Sequence, residues 1–202
     1  MQPIIDHFDP KDASFATAAI IDGNVPYIQV GDTGFALVGV PDLGNLIGGL
    51  GWLAELRQLS HAYLVNNGEQ TNNFFDKLDE VGGEATLAVH GSRETDPTRI
   101  CLDPQGLRPG GPQAQWGAGI YMTTEPGYAL KYAYEKGNAK VILLVEAAAG
   151  NPYVTNPPGE DLRKTGPPPG YDSFKTPYDY PNQFVITQKP GTARVVAVLV
   201  FK

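Results

Sequence analysis

The sequence predicts an α+β fold rich in strands, and three observations carry the prediction. Glycine (24) and proline (18) are both in excess, which marks many turns and loops. The run Val141–Ala147 is short and apolar but for Glu146, the pattern of a strand buried on both faces. Between Leu43 and Val65, in contrast, apolar residues recur at helical spacing.

The bulk properties narrow the function. The chain has 202 residues, enough to bury a real core, with 42% hydrophobic and 18% charged residues. Its net charge of -7 makes it a poor non-specific binder of nucleic acid or anionic membrane. The single cysteine, Cys101, lies between Ile100 and Leu102 and reads as a packed thiol. The first residues lack a basic segment followed by a long apolar one, so no signal peptide is expected. The apolar window Gly34–Ala54 is cut by Pro41, five glycines and Asp42, so no membrane span is expected there. A cytoplasmic or nuclear location fits these features, and delivery as an effector or toxin stays open.

In chain order, residues 1–12 read as an irregular lead and Ser14–Ile21 as a short apolar segment. Tyr27–Val30 and Phe35–Val40 form an expected hairpin around Gly31-Asp32-Thr33-Gly34. Leu43–Val65 is an expected helix, ended by Asn66-Asn67-Gly68, and Asn72–Val81 a second one, closed by Gly82-Gly83. From Ala85 the texture is strand, loop, strand. Strands are expected at Ala85–Val89, Gly119–Thr123, Val141–Ala147, Phe184–Thr187 and Val195–Phe201, with a helix at Glu125–Glu135. Gly150–Pro177, with seven prolines, reads as a long loop. Gly82-Gly83 is the best boundary candidate, dividing a mixed extension (1–84) that packs on the core from the remainder (85–202).

The usual chemical signatures are absent. There is no phosphate-binding GxxxxGK[ST], no GxGxxG and no GxSxG, and three histidines with one cysteine supply no spaced metal cluster. No metal is therefore expected. What remains is a series of histidine, tyrosine and glycine at strand ends. His90-Gly91-Ser92-Arg93 is followed by Gly106-Leu107-Arg108, by Gly117-Ala118-Gly119-Ile120-Tyr121 and by Tyr132. Gly170–Phe174 (GYDSF) and Asn182–Ile186 (NQFVI) come later.

In this order and spacing, the series resembles the catalytic domain of the poly(ADP-ribose) polymerase-like ADP-ribosyltransferases, the diphtheria-toxin-related branch, from about residue 86 onward. The resemblance implies two packed antiparallel sheets with an NAD cleft between them and helices on the flank. It implies NAD as substrate and release of nicotinamide through an oxocarbenium-like state, as in glycoside chemistry. It also implies residue roles. The backbone of Gly91 would hold the carboxamide, and His90 and Ser92 the adenosine ribose. Tyr121 would line the nicotinamide pocket, and Tyr132 would stack under the ring, where an electron-rich face suits a pyridinium cation. Arg108, with Arg93, would serve the adenosine and diphosphate end.

Each residue keeps a plainer reading. His90 alone is a satisfied structural histidine, Tyr121 a core tyrosine of a strand, and Tyr128 with Tyr132 an i, i+4 packing pair. Arg93 and Arg108 are surface cations, and Trp116 is loop packing.

Two positions depart from the family. Ala129 stands where many members carry a serine that bonds the nicotinamide amide, a role Thr123 or Thr124 would have to supply. Gln183 stands where polymerising members carry a glutamate. An amide keeps an acceptor but loses the charge, which weakens activation of an incoming sugar hydroxyl. Asp179 and Glu146 are possible carboxylate substitutes, although nothing in the sequence places either in the cleft. The expectation is a mono-ADP-ribosyltransferase with His90, Tyr121 and Gln183 as catalytic residues. Its acceptor would be a protein, or secondarily a nucleic acid. A weak or inactive NAD or ADP-ribose binding module and an NAD-hydrolysing toxin are the alternatives. Oligomeric state is open.

Overall fold

The computed structural model describes residues 13–39, residue 43, residues 58–180 and residues 182–202. The short apolar segment near the start is helix α1 (Ala13–Asp22), which buries Ala16, Thr17 and Ile20. The hairpin comes next as β1 (Tyr27–Val30) and β2 (Thr33–Val38). Its turn is tighter than expected: Val30 pairs with Thr33, leaving only Gly31 and Asp32 in the turn. Gly31 takes φ 56, a conformation glycine adopts without a Cβ penalty.

The largest correction concerns Leu43–Val65. Residues 44–57 lie outside the described residues, but the last part of the expected helix is strand β3 (Leu59–Asn67). Leu59 and Tyr63 are four apart, a spacing that satisfies a 3.6-residue period and a 2-residue period alike. Sheet partners decide between them: β3 pairs with β2 on one side and with β11 (Ala193–Phe201) on the other. Asn66-Asn67-Gly68 therefore starts a helix instead of ending one. The Asn67 side chain accepts from Gln70 N at 3.0 Å and caps α2 (Gly68–Val81), which closes at Gly82 with φ 71.

Buried amides tie the start of α2 to α3 (Pro97–Leu102) and to β11. Asn67 Nδ2 donates to Cys101 O, and Gln70 Nε2 to Ile100 O and Asp103 O. Gln70 Oε1 accepts from Val195 N at 2.6 Å, where a bulge between Val195 and Ala197 interrupts the ladder. Asp96 caps α3 at its start, Pro97 opens it, and Asp103 is its C-cap. Cys101 is fully buried, and desolvation pushes its thiol well above the ordinary range.

At the centre lies β7 (Ala139–Ala147), paired with β11 and with β4 (Thr86–His90). It is buried on both faces, as its sequence implies. Val141, Leu143 and Val145 enter one core cluster with α1 and α3; Ile142 and Leu144 enter another with Ala129 and Ala133. β4 meets β5 (Ile120–Thr123) through the registered pair Val89↔Thr123, and β5 continues to β10 (Phe184–Thr187), β9 (Ser173–Lys175) and β8 (Pro152–Val154). Where two packed sheets were expected, the α+β fold is dominated by a single hydrogen-bonded sheet, in the order β1-β2-β3-β11-β7-β4-β5-β10-β9-β8. The β8–β9 pair is parallel, unlike the antiparallel rest.

Two further stretches differ from expectation. Glu125–Glu135 holds one helical turn, α4 (Pro126–Ala129), a 3₁₀ turn (Leu130–Tyr132) and then β6 (Tyr134–Lys136). β6 returns to β7 through Gly137-Asn138, with Gly137 at φ 60, so a hairpin ends the helix early. The long loop Gly150–Pro177 contains β8, α5 (Glu160–Thr165) and β9. Strands of three residues are too short to show a period. None of the described helices is long and apolar enough to cross a membrane.

Candidate active site

The β4–β5 pairing, registered by Val89↔Thr123, is where the chemistry-bearing residues converge. His90 ends β4, and its Nδ1 donates to the Tyr121 carbonyl of β5 at 2.8 Å. The imidazole thus bonds a carbonyl beyond the last registered β4–β5 pair. With Nδ1 carrying the proton, Nε2 is left as an acceptor. Desolvation lowers the His90 pKa, opposed by this bond, so the ring is neutral at pH 7.

The lowered pKa makes the fold sensitive to acid. A free histidine takes its proton near pH 6.5, but folded His90 resists it. The stabilisation is full above about pH 6.5 and is lost as pH falls from there through the lower folded pKa. Thermal melts from pH 8 to 5 are expected to show this acid-side decline, reduced in His90→Asn. An identical decline in both proteins would refute it.

Gly91 sits next to it in a confined place. A Cβ there would lie 2.5 Å from Tyr132 O and 2.6 Å from Ala129 O. Glycine is therefore required by the backbone of the Ala129–Tyr132 turn. Arg93, at φ 45, donates its N–H to Tyr132 O at 2.8 Å and sets its guanidinium over the Tyr132 ring, 5.0 Å from the centroid.

A cavity of about 310 Å³ opens beside these residues. Val89 and His90 of β4 line it with the adjoining Gly91, Tyr121 and Thr123 from β5, Tyr128, Ala129 and Tyr132 from the next turns, and Trp116 and Phe184 among the rest. Five aromatic side chains stand in its walls: Trp116, Tyr121, Tyr128, Tyr132 and Phe184. Tyr128 and Tyr132 stand 5.4 Å apart with hydroxyls 3.2 Å apart, and Tyr128 meets Phe184 edge-on. The hydrogen bond to Tyr132, with burial, pushes Tyr128 up to about 12, so it is a neutral phenol at pH 7. The Tyr121 hydroxyl is already engaged, donating to Gly117 O at 2.6 Å and accepting from Trp116 N at 2.9 Å. It offers a ring, and its hydroxyl braces the loop before β5. Trp116 is buried with Phe174, Phe184 and Ile186, so it packs the loop and walls the cavity together.

A second cavity, about 280 Å³, shares His90 with the first and is lined by Ser92, Thr95, Arg99, Asp103 and Arg108 among others. Ser92 Oγ donates to Thr95 O. Arg108 is held by Asp103 in a two-point fork, Nε to Oδ2 at 2.6 Å and an Nη to Oδ1 at 3.0 Å.

Gln183 lies just before the cavity residue Phe184. Its Nε2 donates to Tyr178 O at 3.2 Å, and Thr124 Oγ1 approaches its Oε1 at 3.4 Å. Of the carboxylates weighed from sequence, Glu146 is bound to Arg194 through Oε2 on the far stretch of β7.

The structure thus brings His90, Gly91, Tyr121 and Tyr132 to one cavity, and His90, Ser92 and Arg108 to the other. Gln183 is outside both linings, at the edge of the first, and Arg93 reaches it only over the Tyr132 ring. Sequence reading left Tyr128 without a role and overlooked Phe184 and Arg99. The i, i+4 pair with Tyr132 was the available signal for Tyr128. Nothing local marked Arg99.

His90 thus lines both cavities. The model of the family "Poly(ADP-ribose) polymerase catalytic domain" matches residues 55–190, well over half of the chain, and spans both cavities. No individual curated protein matches the chain. Since that match runs from β3 through every wall just described, the chain belongs to the poly(ADP-ribose) polymerase catalytic-domain family, NAD-dependent ADP-ribosyltransferases.

Proposed function

We propose that the protein is a mono-ADP-ribosyltransferase that moves ADP-ribose from NAD to a side chain of a protein acceptor and releases nicotinamide. The observation that carries this reading is the setting of Gln183. Its amide N–H faces the carbonyl of Tyr178, a contact that a carboxylate, having no proton to donate, would turn into repulsion. The amide is used there in both senses, donating to Tyr178 O and accepting from Thr124 Oγ1. Among the described residues, none lining the adjacent cavity is a carboxylate.

The geometry suits each residue to a role. Nicotinamide enters the aromatic cavity, with its carboxamide on the Gly91 backbone and its ring over Tyr132. Tyr128 closes the same wall, where a phenol ring face suits the positive ring. His90 Nε2 accepts from a hydroxyl of the adenosine ribose, and the remainder of the dinucleotide lies in the second cavity with Ser92 and Arg108. Gln183 Oε1 accepts from the ribose next to nicotinamide. As the glycosidic bond breaks, the ribose becomes positive and the departing ring becomes neutral. The amide dipole stabilises that charge less than a carboxylate would. An acceptor bearing its own strong nucleophile attacks the ribose carbon that nicotinamide leaves, any proton it carries passing to solvent, and the attached sugar hydroxyls are not activated for a second round.

Incubation with labelled NAD and candidate acceptor proteins is expected to give single ADP-ribose units, released by a hydrolase of protein-linked mono-ADP-ribose. Gln183→Ala is expected to lower kcat about tenfold while KM for NAD changes little, since it loses one hydrogen bond made to the developing charge. Polymer ladders from the wild type would overturn single transfer. NAD binding without turnover would instead support a binding module, which the small Ala129 at the cavity wall also favours.

A further inference from the structure

We propose that Arg99 is the guanidinium that holds the diphosphate of the dinucleotide, and that Arg108 acts chiefly as a clamp on its own loop. The proposal rests on the two-cavity binding reading above. The second cavity has two arginines in its lining, and the structure treats them differently. Arg108 turns one edge of its guanidinium, Nε and an Nη, to both oxygens of Asp103, five residues earlier, and so closes the loop Asp103–Arg108. That loop is further pinned by Gln105 N bonding to Asp103 Oδ1 and by Gly106 N bonding to Asp103 O. One carboxylate and one guanidinium cancel, and the pair leaves little charge for a ligand.

Arg99 is the opposite case. Among the described residues no carboxylate lies within ion-pair distance of it. Its side chain is exposed and lines the same cavity as His90, Ser92 and Thr95. Arg93, the other cation of this region, lies over Tyr132 beside the first cavity. In a chain of net charge -7, the uncompensated cation of the second cavity is therefore Arg99.

Its backbone is also fixed. α3 is capped by Asp96, whose carboxylate accepts from Thr98 N at 2.9 Å and from Thr17 Oγ1 of α1. The next residue, Ile100, is buried in the main core. A ligand that passes His90 from the aromatic cavity meets Arg99 in the adjoining one. Two linked phosphates are the anionic part of a dinucleotide, and a planar guanidinium pairs with phosphate oxygens through two parallel bonds.

The test measures binding of NAD, ADP-ribose, nicotinamide and adenosine to the full chain by calorimetry. Arg99→Gln is expected to weaken NAD and ADP-ribose about tenfold, to leave nicotinamide and adenosine unchanged, and to flatten the salt dependence of ADP-ribose binding. Arg99→Lys is expected to recover part of the loss, as a point charge without the fork. Equal binding of ADP-ribose by wild type and Arg99→Gln overturns the proposal and leaves the site reading intact. Loss of nicotinamide binding together with a lowered Tm would show that Arg99 acts through the fold, and would overturn it also. A wild type that binds none of the four ligands would remove the site reading, and this proposal with it.

Discussion

Gly91→Ala is expected to lower the melting temperature and remove nicotinamide binding together. The added Cβ meets two backbone carbonyls, Tyr132 O at 2.5 Å and Ala129 O at 2.6 Å, and neither can rotate away as a side chain would. The turn that carries Tyr128 and Tyr132 must shift. Overpacking of this kind costs about 1–3 kcal/mol, and each kcal/mol lowers Tm by roughly 2–4 °C in a domain of this size. Displacing Tyr132 by even about 1 Å is expected to reduce turnover of NAD by about 100-fold. Differential scanning fluorimetry and calorimetry with nicotinamide check both parts. A variant that melts and binds like the wild type would show that the turn is free to move, and would detach Gly91 from the site.

His90→Ala is expected to reduce kcat/KM for NAD by about 100-fold, or roughly 3 kcal/mol. Two losses add. Nε2 no longer accepts a hydroxyl, and the Tyr121 carbonyl loses its donor beside the registered pair Val89↔Thr123. His90→Asn separates them. Its amide N–H is placed to restore the bond to Tyr121 O, so Tm is expected to recover while turnover stays low. Turnover by His90→Asn equal to the wild type would show that the ring serves only to hold the strands.

The candidate site was more legible in the sequence than the fold was. His90-Gly91, Tyr121 and Tyr132 declare themselves because each lies at the end of a strand or on the short turns after β5, and their order is unusual. The pairing of Arg108 with Asp103 was not legible, because a positive side chain in a motif says nothing about a partner five residues away. The fold resisted for a related reason. Leu59 and Tyr63 satisfy two periods at once, and only the neighbouring strands β2 and β11 choose between them. Glu125–Tyr132 has helix-compatible residues throughout, yet the bond from Arg93 N to Tyr132 O and the β6–β7 hairpin end the helix after one turn. Asn67 looks like a helix stop, and acts as a start once its side chain finds Gln70 N.

Alone, the sequence determined that strands β4, β5, β7, β10 and β11 exist, that the core lies on both faces of β7, and that a histidine, a glycine and tyrosines stand at strand ends. Those features depend on apolar periodicity and on residue identity, which are local. Tertiary structure decided that β3 is a strand, that Gly91 must lack a Cβ, that the Tyr121 hydroxyl is spent on its own loop, and which arginine of the second cavity stands without a carboxylate. Each of these depends on an atom brought close from elsewhere in the chain. Hydrogen bonds and steric contacts act over a few ångströms of space, whatever the separation along the sequence.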